Sequence, residues 1–130
     1  EGKDVLLALG SMVYPSLKAA RRLEKEGINL AVVNARFAKP LDKESILGLV
    51  HNARTVITVE EAVKAGGFGS IVREFLDSEE LYHIRFKSIG IPLEVYPLGK
   101  AEQIKKMYRL DEEGLVQEIK KFYEAGRKKK

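Results

Sequence analysis

The sequence predicts an α/β fold in three layers, an open and mainly parallel sheet with helices on both faces. Nearly continuous apolar runs alternate along the chain with segments of helical periodicity. Continuous apolar runs are typical of parallel strands that are covered on both faces. Parallel strands require crossover connections, which the intervening helices supply. Because 130 residues suit one domain, we expect a single α/β/α unit.

Four apolar runs are the predicted strands, residues 5–9, 30–33, 56–59 and 85–91. The first helix is predicted over residues 15–26, with Pro15 in its first turn and Gly27 just past its end. Asp42 is a suitable N-cap for the second helix. Its apolar stripe is Ile46, Leu47, Val50 and Ala53.

Three more helices are predicted after the third strand. One covers residues 70–77, and a short one covers residues 101–108. The last helix begins at Asp111, an N-cap flanked by the apolar pair Leu110 and Leu115. Such a pair fits the hydrophobic staple that fixes the entry of the chain into a helix.

The charge of the chain is concentrated at its end. Lys and Arg number 23 against 19 Asp and Glu, which gives a net charge of +4. Residues 127–130 supply that whole excess. We therefore expect a domain over residues 1–125, a basic frayed tail over 126–130, and no nucleic-acid partner.

Composition excludes several classes of site. Cysteine is absent, which excludes disulfides, thiolate metal sites and a cysteine nucleophile. His51 and His83 are the two histidines, too few for a histidine-rich metal site, and both fit surface positions. No apolar run approaches the length of a membrane span. The first residue is Glu1 rather than Met, so we expect the chain to be cut from a longer protein.

The predicted loops 10–15, 34–42 and 60–70 leave the carboxyl ends of the strands, where open α/β sheets bind ligands. In the last loop, Gly66, Gly67 and Gly69 precede a helix, so free backbone N–H groups could cradle an anion. The spacing matches neither a Walker A loop nor a dinucleotide fingerprint. Close packing and a tight turn are the favoured interpretation.

Charged and aromatic residues in these loops leave alternatives open. Glu60 and Glu61 could divide acid and base roles, but neighbours in a strand point to opposite faces, which favours capping or interface salt bridges. Arg36 and Lys39 could bind a phosphate or carboxylate, although a solvated or interface role is favoured. The tyrosines fit core or interface positions, namely Tyr14, Tyr96 and Tyr108.

Three segments make the chain similar to a known family. They read DVLLALGSMVYPSLKAARRLEKEGINLAVVNARFAKPLD, TVEEAVKAGGFGS and LDEEGLVQEI. TVEE followed by GGFGS resembles the C-terminal domain of the transketolase superfamily. VNARFAKPLD and the LDxxG ending at residues 110–114 resemble, more narrowly, the 1-deoxy-D-xylulose-5-phosphate synthases. Residues 90–99 depart from the synthase pattern, because the usual Asp and His are missing there.

The resemblance implies a cytoplasmic, three-domain, homodimeric enzyme that condenses pyruvate with glyceraldehyde 3-phosphate, with loss of CO2. Thiamine diphosphate and Mg²⁺ would bind to the missing N-terminal and middle domains, so the resemblance implies no catalytic, cofactor or metal residue in this chain. This domain would brace the dimer. The candidate interdomain or dimer contacts are Arg36, Phe37, Lys39, Glu60, Glu61, Gly66, Gly67, Phe68, Gly69 and Ser70.

The resemblance also implies a fifth, antiparallel strand that precedes the others and is mostly missing, and a strand order of second, first, third, fourth. Two alternatives remain open. The domain could come from a transketolase or from the beta subunit of a 2-oxo-acid dehydrogenase. It could instead be a free-standing module that binds an anion or nucleotide at residues 66–70.

Overall fold

A computed structural model describes residues 4–35, 43–63, 67–91 and 110–128. These ranges form four strands, β1 Asp4–Ala8, β2 Leu30–Asn34, β3 Thr55–Val63 and β4 Arg85–Ile91. They also form four α-helices, α1 Val13–Glu24, α2 Lys43–Val50, α3 Phe68–Ser78 and α4 Glu112–Lys128. The predicted helix over 101–108 lies outside the described residues.

The strands form one sheet in the order β2-β1-β3-β4, and every neighbouring pair is parallel. Val5 of β1 lies opposite Ala31 on one side and Val56 on the other. All five residues of β1 are buried. The predicted parallel α/β sheet and its strand order are therefore confirmed.

Apolar side chains cover both faces of the sheet. On one face, Leu6 and Ile57 belong to a core that includes Leu23 of α1 and Ile119 of α4. On the other face, the buried core includes Leu7, Val56, Ile46, Val72 and Phe75. Helices α1 and α4 thus cover one face and α2 and α3 the other, which confirms three layers.

Strand β3 is longer than its apolar run predicts. It continues through Glu60 and Glu61 to Val63, because β4 runs beside it and pairs Val63 with Ile91 after a register shift. The acidic residues expected in a loop are therefore part of the sheet. At the other end of the chain, α4 extends to Lys128, past residue 126, where the predicted tail begins.

The start of α4 matches its sequence signature. The Gly114 N–H donates to Asp111 Oδ1 at 2.8 Å, and Leu110 and Leu115 are both fully buried. The cap satisfies one of the N–H groups that a helix leaves without a partner, and the apolar pair directs the chain into the core.

A buried carboxylate joins the first strand to the last helix. Asp4, whose exposed fraction is only 6%, accepts a hydrogen bond of 2.5 Å from the Tyr123 hydroxyl. The Arg54 Nε lies 3.5 Å from the other oxygen of Asp4. Burial and the neighbouring carboxylate raise the pKa of Tyr123, so its hydroxyl stays a donor.

On the surface above, ion pairs hold α4 to α1 and to the turn that follows it. Arg22 lies 2.9 Å from Glu113, and Lys120 lies 2.7 Å from Glu26. None of the helices in the described ranges has the length and apolar character needed to cross a membrane.

We expect Tyr123→Phe to lower the free energy of unfolding by about 1–3 kcal/mol, because the buried Asp4 carboxylate loses a donor while the ring stays in place. Chemical denaturation measures this change. The matched control is Tyr82→Phe, since Tyr82 is 72% exposed. Equal stability of the two variants would contradict the assigned role of the Tyr123 hydroxyl.

Candidate functional site

The carboxyl ends of β1 and β3 bring two parts of the chain together. After β1 the chain enters a short 3-10 turn, Gly10–Met12, and then α1. Gly10 has a φ of 60°, a conformation that glycine adopts without strain. The turn places the Ser11 hydroxyl against Glu61 of β3, to which it donates a hydrogen bond.

Glu60 is the most deeply buried acidic residue of this edge, with 1% of its surface exposed. Its Oε1 accepts the Phe68 N–H at 2.8 Å, and its Oε2 accepts the Gly69 N–H at 2.7 Å. The residue that precedes α3, Gly67, has no side chain with which to cap the helix. The Glu60 carboxylate therefore caps α3 from the sheet and complements the positive end of the helix dipole.

Two opposing effects act on the pKa of Glu60. Burial raises it, and the hydrogen bonds from Gly69 and Phe68 lower it, with burial the larger effect. The pKa of Glu60 therefore lies above its ordinary value of 4.5.

The two glutamates do not form an acid and base pair. Both oxygens of Glu60 accept N–H groups of α3, whereas Glu61 accepts the Ser11 hydroxyl. The capping interpretation of Glu60 is thus confirmed. The Glu60 carboxylate also occupies the place that the predicted cradle would give to an external anion. The Phe68 and Gly69 N–H groups already donate to it.

Gly69 lets α3 approach the sheet closely. A Cβ atom there would overlap Ser88 Oγ and would lie 2.8 Å from Thr58 Oγ1. Both hydroxyl oxygens are buried and have no hydrogen-bond partner among the residues that the structure describes. The predicted packing role of these glycines is confirmed at this position.

Three further candidate residues, Tyr14, His51 and His83, are exposed. Tyr14 is 66% exposed, which excludes a core position, and the Lys18 Nζ lies 4.4 Å from the centre of its ring. His51 is exposed and its Nδ1 lies 3.0 Å from the Leu47 carbonyl oxygen. His83 is exposed as well. Several candidates lie outside the described residues, namely Arg36, Phe37, Lys39, Gly66, Tyr96 and Tyr108.

The part of the chain that the structure describes holds no group of three or more His, Cys, Asp or Glu side chains able to bind a metal ion. What the edge provides is a surface whose polar groups are held by hydrogen bonds within the chain. The Ser11 to Glu61 contact was not predicted, since the two residues are 50 positions apart and neither carries a local signal.

We expect Glu60→Gln to lower the free energy of unfolding by about 1–3 kcal/mol, because an amide can accept only one of the two N–H groups and turns a donor toward the other. Thermal or chemical denaturation measures the loss. Glu74→Gln is the matched control, since Glu74 is exposed on the same helix. An equal effect of both variants would contradict the cap.

A comparison of wild type with Glu60→Gln also tests the raised pKa of Glu60. Because folding raises the pKa of Glu60, its contribution to stability is fully present below about pH 4.5 and is lost as pH rises through the folded-state pKa. We expect the stability gap between wild type and Glu60→Gln to widen from about pH 7 to about pH 4.5. A gap that narrows would show that the N–H donors outweigh burial.

We expect Gly69→Ala to destabilise the fold by about 1–3 kcal/mol through overpacking against β3 and β4. Adding Ser88→Ala should recover part of the loss, since it removes an unpartnered hydroxyl that the new methyl group would meet. The control is Gly48→Ala, a helical position where an added Cβ atom meets no described atom within 4 Å and where alanine should stabilise by roughly 0.5–1 kcal/mol. Similar effects of Gly69→Ala and Gly48→Ala would contradict the close approach.

Comparisons with known proteins agree with this geometry. Residues 1–115 match the family described as "Transketolase, C-terminal domain". The 1-deoxy-D-xylulose-5-phosphate synthase of Halothermothrix orenii is 43% identical over 123 residues, which cover 94% of this chain and 19% of that protein. 1-deoxy-D-xylulose-5-phosphate synthase 2 of Geobacter sulfurreducens is 45% identical over 92% of this chain and 19% of its own length.

A solved structure titled "Split gene transketolase, inactive beta4 tetramer" superposes with a TM-score of 0.79 at 35% identity, over 93% of this chain and 39% of that chain. This chain spans about one fifth of the length of the curated relatives that it matches. The sequence match to the family model and the superposition of the parallel three-layer fold point to the same family. The chain belongs to the transketolase C-terminal domain family.

Proposed function

We propose that this chain is the third domain of a thiamine-diphosphate-dependent 1-deoxy-D-xylulose-5-phosphate synthase. That enzyme joins two carbons of pyruvate to glyceraldehyde 3-phosphate and releases CO2. The observation that carries the proposal is the identity of 40% to 45% with several synthases, over more than nine tenths of this chain.

The chemistry of the reaction is assigned to the rest of the enzyme. When bound, thiamine diphosphate would stabilise the carbanion that such a condensation needs, and Mg²⁺ would anchor its diphosphate. The described side chains contain no metal-binding cluster, and the buried Glu60 is already bonded to α3. We therefore assign no cofactor ligand to the residues that the structure describes.

The contribution of this domain is a contact surface at the carboxyl edge of the sheet. Its accessible members in the described residues are Ser11, Tyr14, Glu61, Gly67 and Ser70. Glu60, Phe68 and Gly69 are buried and act beneath this surface by fixing its shape. A rigid surface with an exposed aromatic ring suits a contact with the other domains or with the second subunit of a homodimer.

A transketolase is the second candidate, because the split-gene transketolase chain is 35% identical and has the same fold. The two candidates predict different partners for this domain. A chimera separates them, with this chain replacing the matching C-terminal segment either of the Halothermothrix orenii synthase or of the transketolase.

We expect the synthase chimera to form product from pyruvate and glyceraldehyde 3-phosphate when thiamine diphosphate and Mg²⁺ are added, and the isolated chain to form none. Product formation and CO2 release measure both. Turnover by the isolated chain would contradict the assignment of catalysis to the other domains. A folded but inactive synthase chimera beside an active transketolase chimera would favour the second candidate.

Two exposed tyrosines at opposite edges of the sheet test the contact surface. Tyr14 lies at the carboxyl edge and is 66% exposed, whereas Tyr82 lies at the amino edge and is 72% exposed. In the active chimera, we expect Tyr14→Ala to weaken dimerisation or activity roughly tenfold, as for an interface anchor. Tyr82→Ala should change neither, and equal effects would contradict the placement of the surface.

A further inference from the structure

A cavity opens at the amino edge of the sheet, opposite the contact surface proposed above. Its volume is about 470 Å³, within the range of small-molecule sites. Its lining includes the first residues of three strands, Asp4, Thr55 and Arg85. The side chains of Arg54, Tyr123 and Arg127 line it as well.

Positive charge exceeds negative charge in this lining, with three guanidinium groups beside one carboxylate. The Asp4 carboxylate already has two partners. It accepts a hydrogen bond from the Tyr123 hydroxyl and lies 3.5 Å from the Arg54 Nε. Across the described ranges, Arg85 and Arg127 form no ion pair with a carboxylate. The cavity therefore carries a positive charge that the described side chains do not neutralise.

The guanidinium group of Arg85 is held in place by α4. Its Nη2 donates to the Phe122 carbonyl oxygen at 2.9 Å, and its Cζ lies 4.0 Å from the centre of the Phe122 ring. A Cβ atom at Gly126 would overlap the Arg85 Nη1. A glycine at this position of α4 therefore leaves room for the Arg85 guanidinium group. A guanidinium group fixed in this way loses little conformational freedom when it binds a ligand.

The C-terminal end of α4 does not offset all of the positive charge of the guanidinium groups in this cavity. The carbonyl groups at the end of α4 attract cations, and the Phe122 carbonyl oxygen, further back in the same helix, accepts one N–H of Arg85. A guanidinium group has five N–H donors, so four remain on Arg85. The side chain of Arg54 is 73% exposed, and Asp4 is its one ion-pair partner in the described residues.

We propose that this cavity binds a phosphate group, free or as a monoester, through Arg54 and Arg85. Planar guanidinium groups bind phosphate oxygens with paired hydrogen bonds, and a dianion matches the excess of positive charge. This inference does not depend on the proposed function, because the cavity lies at the other edge of the sheet.

The test is a titration of the 130-residue chain, labelled with ¹⁵N, at low ionic strength. The ligands are inorganic phosphate, glycerol 3-phosphate, glycerol and acetate. We expect the first two to shift the amide signals of residues around Arg54 and Arg85, while glycerol and acetate have little effect. The tighter of the two phosphate ligands identifies whether free phosphate or a monoester is the preferred source.

Arg54→Gln and Arg85→Gln should each weaken binding about tenfold, as for the loss of a charged hydrogen bond. Arg73→Gln is the matched control, since Arg73 lies on α3 over the Phe86 ring and is not among the residues that line the cavity. Absence of shifts at saturating phosphate, equal binding of acetate, or equal affinity in all three variants would overturn the proposal. If Arg85→Gln fails to fold, the exposed Arg54 decides the outcome alone.

Discussion

Strand β1 lies between two parallel neighbours, and every one of its residues is buried. Its side chains alternate between the two faces, so Leu6 enters one apolar core and Leu7 the other. Neither face can be left open to water, since each carries large apolar side chains. The helices on both sides of the sheet follow from this constraint, and the loops at either edge take their positions from it.

The helix and the turn at the carboxyl edge of the sheet are held in place by residues of β3. Glu60 points to one side and caps α3, while Glu61 accepts the hydroxyl of Ser11. Gly69 allows the capped helix to lie against Thr58 and Ser88. One strand therefore fixes both the helix behind this edge and the turn in front of it. A surface held by such internal bonds needs little rearrangement to meet a partner.

Local signals account for what could be predicted from the sequence. Continuous apolar runs predicted the strands, and the Asp111 cap with its staple predicted the start of α4, because both depend on neighbouring residues. The extension of β3 through Glu60 could not be predicted, since it depends on pairing with β4. The Ser11 to Glu61 bond and the place of Arg85 beside Gly126 join distant segments, which no local pattern encodes.

The bond between Tyr123 and Asp4 joins residues 119 positions apart. During synthesis, β1 leaves the ribosome long before α4 exists, so one face of the sheet is covered by α1 alone until the last helix is made. Closure of so long a loop is slow, because chain entropy opposes it until the contact forms. The core that holds Leu6 and Ile57 therefore lacks its α4 side chains, Leu115, Val116 and Ile119, until synthesis is almost complete. Apolar surface that waits in this way for its last helix is a site where partly folded chains aggregate.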